Sequence, residues 1–213
     1  MKSIFKEKNL RKPADSVNYF VKIALYSLKI IIIKMIKMLT TQTQIPKFMK
    51  IIIAGNSNVG KTTLLKRFVK GVFEEKSKMT VGVEHFHKEI LLSNLLCKMQ
   101  LWDLGGQDRF RYIVDIALKG AHGALLLFDI TNYASFVAID NWVKLLRTQN
   151  KNLPIILLAT KADLSEISVV KSVLIPKTID RNNFLNFIET SSKTGQNVTE
   201  AFEILANHVI AYN

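Results

Sequence analysis

Short apolar runs recur along most of the chain, and each is bounded by polar or glycine-containing segments. Runs of this kind are typical of strands that are buried on both faces of a sheet. They predict strands at residues 47–54, 81–92, 95–103, 121–130, 153–160 and 187–190. Ser93 and Asn94 separate the second run from the third and predict a tight turn.

Between these runs, apolar residues recur every three to four positions, as they do on one face of a helix. The pattern predicts helices at residues 61–70 and 133–148. The apolar face of the second helix collects Phe136, Ile139, Val143 and Leu146. A third helix is predicted at residues 197–211, because Asn197 followed by Glu200 is a capping signature. Strands that alternate with helices favour an α/β fold with a mostly parallel sheet and helices on both faces.

Composition supports one folded domain with an extension. The chain has 213 residues, of which 48% are hydrophobic and 22% are charged, so we expect a packed core. The α/β pattern begins after Pro46, which predicts an N-terminal extension, residues 1–46, and a domain, residues 47–213. The single cysteine, Cys97, lies in an apolar run and is expected to be a small core residue. One thiol cannot form an internal disulfide, which fits a reducing compartment.

Positive charge is concentrated near the N-terminus. The formal net charge is +13, of which residues 1–50 carry +9 and residues 51–213 carry +4. No nucleic-acid-binding motif accompanies this charge, so we expect no nucleic-acid partner. An anionic lipid surface fits the N-terminal segment better.

Residues 19–39 combine sixteen apolar residues with four lysines. As a transmembrane helix the segment would gain at most about 8 kcal/mol from its apolar residues and lose up to about 12 kcal/mol at its lysines, so spanning is disfavoured. On a helix the four lysines share an arc of roughly 140°. They are Lys22, Lys29, Lys34 and Lys37. This arrangement predicts a basic amphipathic helix that lies in an anionic membrane interface.

Two alternatives to that helix stay open. The extension could be a disordered tail, or it could be translated upstream sequence, because Met38 and Met49 are in-frame candidate starts. A secretory signal peptide is not expected, because no small-residue cleavage site follows the apolar stretch.

Residues 55–62 read Gly-Asn-Ser-Asn-Val-Gly-Lys-Thr and match the phosphate-binding loop between a strand and a helix. Its glycines let backbone N–H groups face phosphates, Lys61 would bridge the β- and γ-phosphates, and the Thr62 hydroxyl would bind Mg²⁺. The predicted phosphate-contacting set is Gly55, Asn56, Ser57, Asn58, Val59, Gly60, Lys61, Thr62 and Thr63.

Two later segments indicate which base is bound. In the segment that begins at Thr160, the Asp163 carboxylate can accept two hydrogen bonds from guanine, a donor pair that adenine lacks. Lys161 would lay its stem over the base. In the loop Ser191-Ser192-Lys193, the backbone N–H of Ser192 would donate to the guanine O6.

A further set would act on the γ-phosphate. Asp103 at a strand end can hold a Mg²⁺-bound water, and Gly106 lets a backbone N–H approach the phosphate. Gln107 can orient the attacking water, and the Thr80 hydroxyl can complete the Mg²⁺ shell. The predicted catalytic residues are Gln107, Lys61 and Thr80, and the predicted metal ligands are Thr62, Thr80 and, through water, Asp103.

Together these motifs resemble those of the Ras superfamily of small GTPases, and within it the Rab group, over residues 47–213. The group-level matches are Leu65-Lys66-Arg67-Phe68, Thr80-Val81-Gly82-Val83-Glu84, Asp108-Arg109-Phe110-Arg111 and Gly120-Ala121-His122-Gly123. The resemblance implies a P-loop NTPase fold with a six-stranded sheet, one antiparallel edge strand and five helices. It also implies that Phe73 packs edge-on against guanine.

Several positions depart from the family pattern. Thr160 stands where most members have Asn, as it does in the Rho group, so guanine binding should survive. The run from Trp102 to Gln107 looks like the Arf group at Leu104 and Gly105, and Ser77 stands where Rab proteins often have Tyr. Asn58 replaces a loop glycine, but Asn tolerates a positive φ better than most residues. The last three residues contain no cysteine, so we expect no prenyl group there.

The resemblance implies a switch that binds GTP with Mg²⁺ and hydrolyses it to GDP and phosphate. Turnover should be slow, on the order of 10⁻⁴ s⁻¹ as for Ras, because no arginine is evidently placed to assist in cis. Expected partners are an effector, an exchange factor and a GTPase-activating protein, in a cytoplasmic or peripheral cytosolic membrane location and a role in membrane traffic or signalling. The alternative is a scaffold that holds nucleotide with negligible turnover, and Gln107, Thr80 and Asp103 favour turnover. An ATP-using kinase is opposed by Asp163.

Overall fold

A computed structural model describes residues 24–35, 46–75, 79–106 and 111–212, with no side chains described for residues 111–113. The chain divides into two compact units, Met1–Ile45 and Pro46–Asn213. In the first unit, residues 24–35 form helix α1, and all its described residues are exposed. Among the helices of the described residues, none combines the length and the apolarity needed to cross a membrane.

The second unit is built on one six-stranded sheet. Its strands are β1 (Lys47–Ala54), β2 (Val83–Leu92), β3 (Leu95–Leu104), β4 (Gly123–Asp129), β5 (Ile155–Thr160) and β6 (Asn186–Thr190). The spatial order is β2-β3-β1-β4-β5-β6. All neighbours are parallel except β2 and β3, which pair antiparallel through the turn at Ser93 and Asn94. The predicted mostly parallel sheet with one antiparallel edge strand is confirmed.

Helices follow most of the strands. They are α2 (Lys61–Lys70), α3 (Arg111–Leu118), α4 (Tyr133–Val137), α5 (Ile139–Leu146), α6 (Leu174–Asn182) and α7 (Val198–Tyr212), with a 3₁₀ helix at Ala162–Ile167. The bounds of α2 match the prediction. The prediction missed α3, α6 and the 3₁₀ helix.

One helix prediction needs correction, and one gains a detail. The single helix expected at residues 133–148 is divided at Ala138, whose ψ of −8° tightens the turn between α4 and α5. Asn197, expected as the cap of the last helix, directly precedes α7 with a φ of 54°, and its side-chain amide donates to the Glu189 carbonyl over 2.9 Å. The amide therefore ties the start of α7 to the end of β6.

Each face of the sheet is covered by its own apolar cluster. Side chains alternate along β1, so Ile51 and Ile53 pack with α2 and α7, whereas Ile52 and Ala54 pack with α3 and α5. This double burial explains why β1 is apolar almost throughout. Cys97 lies fully buried in β3, as expected, and burial raises the pKa of its thiol.

Candidate functional site

The carboxyl ends of the parallel strands meet at one edge of the sheet, which is where α/β proteins bind ligands. The loop after β1 requires two glycines. Gly55 has a φ of +134°, and a Cβ there would lie 2.3 Å from the Leu127 carbonyl oxygen. Gly60 has a φ of +96° and begins α2, while Asn58 adopts a φ of 64°, which Asn tolerates. The loop backbone therefore curls around the start of α2.

Lys61 is buried at the centre of this loop, with a relative exposure of 6%. Its ammonium donates to the carbonyl oxygens of Gly55 and Asn56, both over 2.8 Å. Burial lowers the pKa of this amine to about 8, and the nearby Asp103 carboxylate opposes that shift. The loop thus holds an amine at its centre, where phosphate oxygens could take the place of the carbonyl groups.

The three predicted metal ligands meet beside the loop. Thr62 Oγ1 lies 2.8 Å from Thr80 Oγ1 and donates to Asp103 Oδ2 over 2.5 Å. Thr80 Oγ1 also donates to Asp103 Oδ2, over 3.2 Å. All three residues offer oxygen ligands, although they lie on three different segments of the chain.

Asp103 is fully buried, and its second oxygen, Oδ1, has no hydrogen-bond partner among the described residues. Burial raises the pKa of this carboxyl group, against the hydrogen bond from Thr62 and the charge of Lys61. An unpaired buried carboxylate oxygen next to two hydroxyl groups suits a hard divalent cation with oxygen ligands. The donor set therefore fits Mg²⁺.

Gly106 approaches the phosphate loop from β3. A Cβ on this residue would lie 2.3 Å from the Ser57 nitrogen and 2.5 Å from the Asn56 carbonyl carbon. Only glycine can hold this backbone contact. One cleft is lined by Ser57, Asn58, Gly60, Lys61, Thr62, Met79, Thr80 and Gly106.

A second cleft, of about 530 Å³, opens beside the first. It is lined by Asn58, Val59, Gly60, Thr63, Phe73, Glu75, Thr160, Lys161, Asp163, Leu164, Ser192 and Lys193. Most of the residues assigned to the base from the sequence line this cleft. Ser191 lies next to it and donates from its hydroxyl group to Asp163 Oδ1 over 2.5 Å.

Thr160, which stands where most of the family has Asn, lines the second cleft and contacts the phosphate loop. Its hydroxyl group lies 2.7 Å from the carbonyl oxygen of Val59 in the phosphate loop and 3.0 Å from that of Phe128 in β4. Both contacts are buried. The shorter side chain thus still ties the end of β5 to the phosphate loop.

Asp129 was missed by the sequence analysis. It is buried at the end of β4, where its carboxylate accepts from the Thr131 N–H and hydroxyl groups and pairs with the Lys161 ammonium. Lys161 has a φ of 62°, and this ion pair fixes its side chain. The sequence signal for Asp129 is an acidic residue at the end of an otherwise apolar run.

Several positions singled out from the sequence lie outside the described residues. They are Gln107, assigned to the attacking water, Ser77, which replaces a common Tyr, and Asp108, Arg109 and Phe110 of the group-level match.

Comparison with known proteins gives one family and several relatives. The model of the Ras family matches residues 50–211. The chain is 39% identical over 161 residues to the GTP-binding protein ypt3 of Schizosaccharomyces pombe, covering 75% of each chain. It is 37% identical over 161 residues to the Ras-related protein YPTC6 of Chlamydomonas reinhardtii, covering 75% of this chain and 74% of the relative. It is 34% identical over 165 residues to the Ras-related protein Rab-19 of Xenopus laevis, covering 77% and 78%.

Proposed function

The chain belongs to the Ras family as a Rab-like GTP-binding switch that hydrolyses GTP to GDP and phosphate, and from this premise we propose that the two adjoining clefts form its guanine-nucleotide site. The first cleft would take the phosphates and the second the base. What supports this division is the placement of a buried amine in one cleft and an exposed carboxylate in the other.

In the phosphate cleft, we assign Lys61 to the β- and γ-phosphates. Its ammonium already faces two oxygen acceptors, and phosphate oxygens would replace them with stronger, charged partners. The backbone N–H groups of residues 55–63 would supply the remaining donors at the start of α2. Anionic phosphates would also raise the pKa of Lys61 and keep it protonated.

The observation that carries the proposal is that the Thr62 and Thr80 hydroxyl groups meet at Asp103 Oδ2, while Oδ1 of the same carboxylate has no partner among the described residues. These residues would hold Mg²⁺, with Asp103 acting through a bound water. When bound, the cation neutralises phosphate charge and orients the phosphate oxygens. Thr80 belongs to the segment before β2, so a contact through its hydroxyl would draw that segment toward the phosphates.

In the base cleft, we assign Asp163 to the two guanine donors and the backbone of Ser192 to the guanine oxygen. The hydroxyl group of Ser191 donates to Asp163 Oδ1 and holds the carboxylate in place. Lys161, anchored on Asp129, and Phe73 are assigned to the two sides of the base. Discrimination against adenine follows, because adenine would leave the Asp163 carboxylate without its donors.

For hydrolysis, we assign Gln107 to positioning the attacking water, and Thr80, Lys61 and Gly106 to the γ-phosphate. The alternative, a scaffold with negligible turnover, is not favoured, because the chain belongs to a family of GTP hydrolases. Regulators and effectors accompany a protein of this kind. We propose a role in membrane traffic on the cytosolic face of a membrane, with residues 19–39 as the contact to anionic lipid and with no nucleic-acid partner.

The metal assignment is tested by the rate at which bound GDP is released. A chelator of Mg²⁺ should accelerate release from the wild-type chain, and the acceleration should shrink in Asp103→Asn and Thr62→Ala because these variants have lost part of the metal site. Thr148→Ala, which removes an exposed threonine hydroxyl at the end of α5, is the matched control. If the chelator does not change the release rate of the wild-type chain, the assignment is overturned.

A further inference from the structure

A hydrogen bond joins α5 to the phosphate loop. The indole Nε1 of Trp142 donates to Asn56 Oδ1 over 2.8 Å, across 86 positions of sequence. An indole N–H can only donate, so the contact also fixes which side of the Asn56 amide faces the ring. Neither the motifs nor the spacing in the sequence gives Trp142 a role.

Packing holds the Trp142 ring in place. The ring is partly buried and packs against the apolar cluster that covers one face of the sheet. Its neighbours on α5, Val143 and Leu146, are buried in the same cluster. Because this packing holds the ring, the indole N–H meets the loop from a fixed direction.

Two parts of the candidate site lie against the backbone of Asn56. Its backbone carbonyl accepts from the Lys61 ammonium over 2.8 Å. Its carbonyl carbon also lies where a Cβ on Gly106 would approach to 2.5 Å. The orientation of this one residue therefore affects both the amine assigned to the phosphates and the backbone assigned to the γ-phosphate.

We propose that Trp142 is a positioning residue for the phosphate loop. Its indole N–H holds the Asn56 side chain, and through it the peptide on which Lys61 and Gly106 converge. This inference rests on the proposed nucleotide site. Without the bond the loop samples other conformations, the phosphates lose part of their donor set, and bound GDP is released faster.

The test is a double-mutant cycle on the release of a fluorescent GDP analogue from the full chain. Trp142→Phe keeps a ring in the apolar cluster but removes the donor, and Asn56→Ala removes the acceptor. Each should accelerate release about threefold to tenfold, the range expected from the loss of one neutral hydrogen bond. The double variant should release GDP no faster than the more affected single variant, because both changes break the same contact.

Trp102→Phe is the matched control, since it makes the same change at the other tryptophan of the chain, whose ring lies beside His85 and Lys50. Its release rate should stay within about twofold of wild type, as expected for a contact outside the loop. A rate for Trp142→Phe within that limit would overturn the inference. So would a double variant whose effect is the product of the two single effects.

A second readout needs no nucleotide. The chain has two tryptophans, so its ¹⁵N spectrum should contain two indole N–H signals, and Trp142→Phe identifies one of them by its loss. Asn56→Ala should shift the Trp142 signal and leave that of Trp102 in place. If the wild-type chain binds no GDP analogue, the proposed function fails. If instead GDP binds but Asn56→Ala does not shift the Trp142 indole signal, this inference fails and the proposed function stands.

Discussion

The Lys61 ammonium donates to two carbonyl groups of its own loop, and one buried oxygen of Asp103 has no partner within the described part of the chain. Burial of the Lys61 charge and of the unpaired Asp103 oxygen each cost free energy in the chain without ligand. A ligand that compensates these costs should therefore bind here. An anion near Lys61 and a cation near Asp103 would each remove a cost. Complementary charges of this kind are what a metal–polyphosphate complex presents.

The burial of Lys61 has a consequence for the pH dependence of stability. Its pKa is lowered from 10.5 to about 8 in the folded chain, so between these values the unfolded chain binds more protons. The free energy of unfolding of the nucleotide-free chain should therefore rise with pH in this window, by at most about 1.4 kcal/mol per pH unit from this residue. Below pH 8 the contribution is constant.

Denaturant titrations at several pH values measure this effect. The difference between the wild-type chain and Lys61→Met isolates the residue, because the other titrating groups are common to both. Parallel stability profiles above pH 8 would show that Lys61 keeps an ordinary pKa.

Gln107 carries the assigned role in hydrolysis. Gln107→Leu should slow single-turnover hydrolysis by about tenfold to a hundredfold, because the attacking water loses its orientation. The affinity for GTP should not change, because the side chain is assigned to the water and not to the bound nucleotide. Gln100→Leu, at an exposed position of β3, is the matched control. An unchanged rate in Gln107→Leu, with and without an activating protein, would refute the role.

Residues within short motifs were predictable from the sequence, whereas partners from distant segments were not. The spacing of Gly55, Gly60 and Lys61 defines a loop by itself, and their geometry is local. The contacts of Asn56 with Trp142, and of Lys161 with Asp129, join loop residues to parts of the chain that are distant in the sequence. Such pairs depend on the packing of the whole sheet, and one sequence without its fold does not display them.

At the scale of elements, β1 was predictable as an apolar run, and α2 was predictable from the helical spacing of its apolar residues. β4 was also recognisable as an apolar run, since it is buried on both faces. In α6 the apolar residues Leu174, Ile175 and Ile179 are only partly buried, and the buried positions are the polar residues Thr178 and Asn182, so burial does not follow the apolar pattern. In α3, Val114, Ala117 and Leu118 are buried at helical spacing, and that signal was available.

The segments next to the phosphates should differ between nucleotide states. Thr80 and Gly106 make the proposed contacts that depend on the γ-phosphate, so residues 73–83 and 104–113 should be more protected with GTP than with GDP. These ranges include residues outside the described part of the chain. Hydrogen exchange in both states measures the difference, with α7 as the internal reference. Equal protection in the two states would remove the switch mechanism and leave the nucleotide site intact.

At the scale of the whole molecule, positive charge is denser in the first unit than in the second. Residues 1–45 carry a net charge of +7, whereas the much longer second unit, residues 46–213, carries +6. The large apolar residues of α1, among them Leu25, Tyr26 and Ile31, are exposed alongside Lys29 and Lys34. Lys22 and Lys37, and the rest of the proposed amphipathic segment, lie outside the described residues. Exposed apolar residues next to cations are what an anionic interface binds.

Membrane attachment should therefore depend on the lysines of residues 19–39. Replacing Lys22, Lys29, Lys34 and Lys37 by Gln in the full chain should reduce flotation with anionic vesicles, at about 1 kcal/mol per lysine near the surface. The matched control replaces four exposed lysines of the second unit, Lys144, Lys151, Lys171 and Lys177, by Gln. If the two variants and the wild-type chain float equally, or none floats, the segment is not a lysine-dependent anchor.

The central claim, a guanine-specific nucleotide site, is tested most directly by competition for bound fluorescent GDP. GTP should displace the probe at least ~10³-fold better than ATP, because only guanine satisfies the Asp163 carboxylate. Asp163→Asn should move the preference toward xanthine nucleotides, since an amide can donate where the carboxylate could only accept. Asp180→Asn, an exposed position on α6, should keep the guanine preference. Displacement of the probe from the wild-type chain by ATP as readily as by GTP would contradict the account.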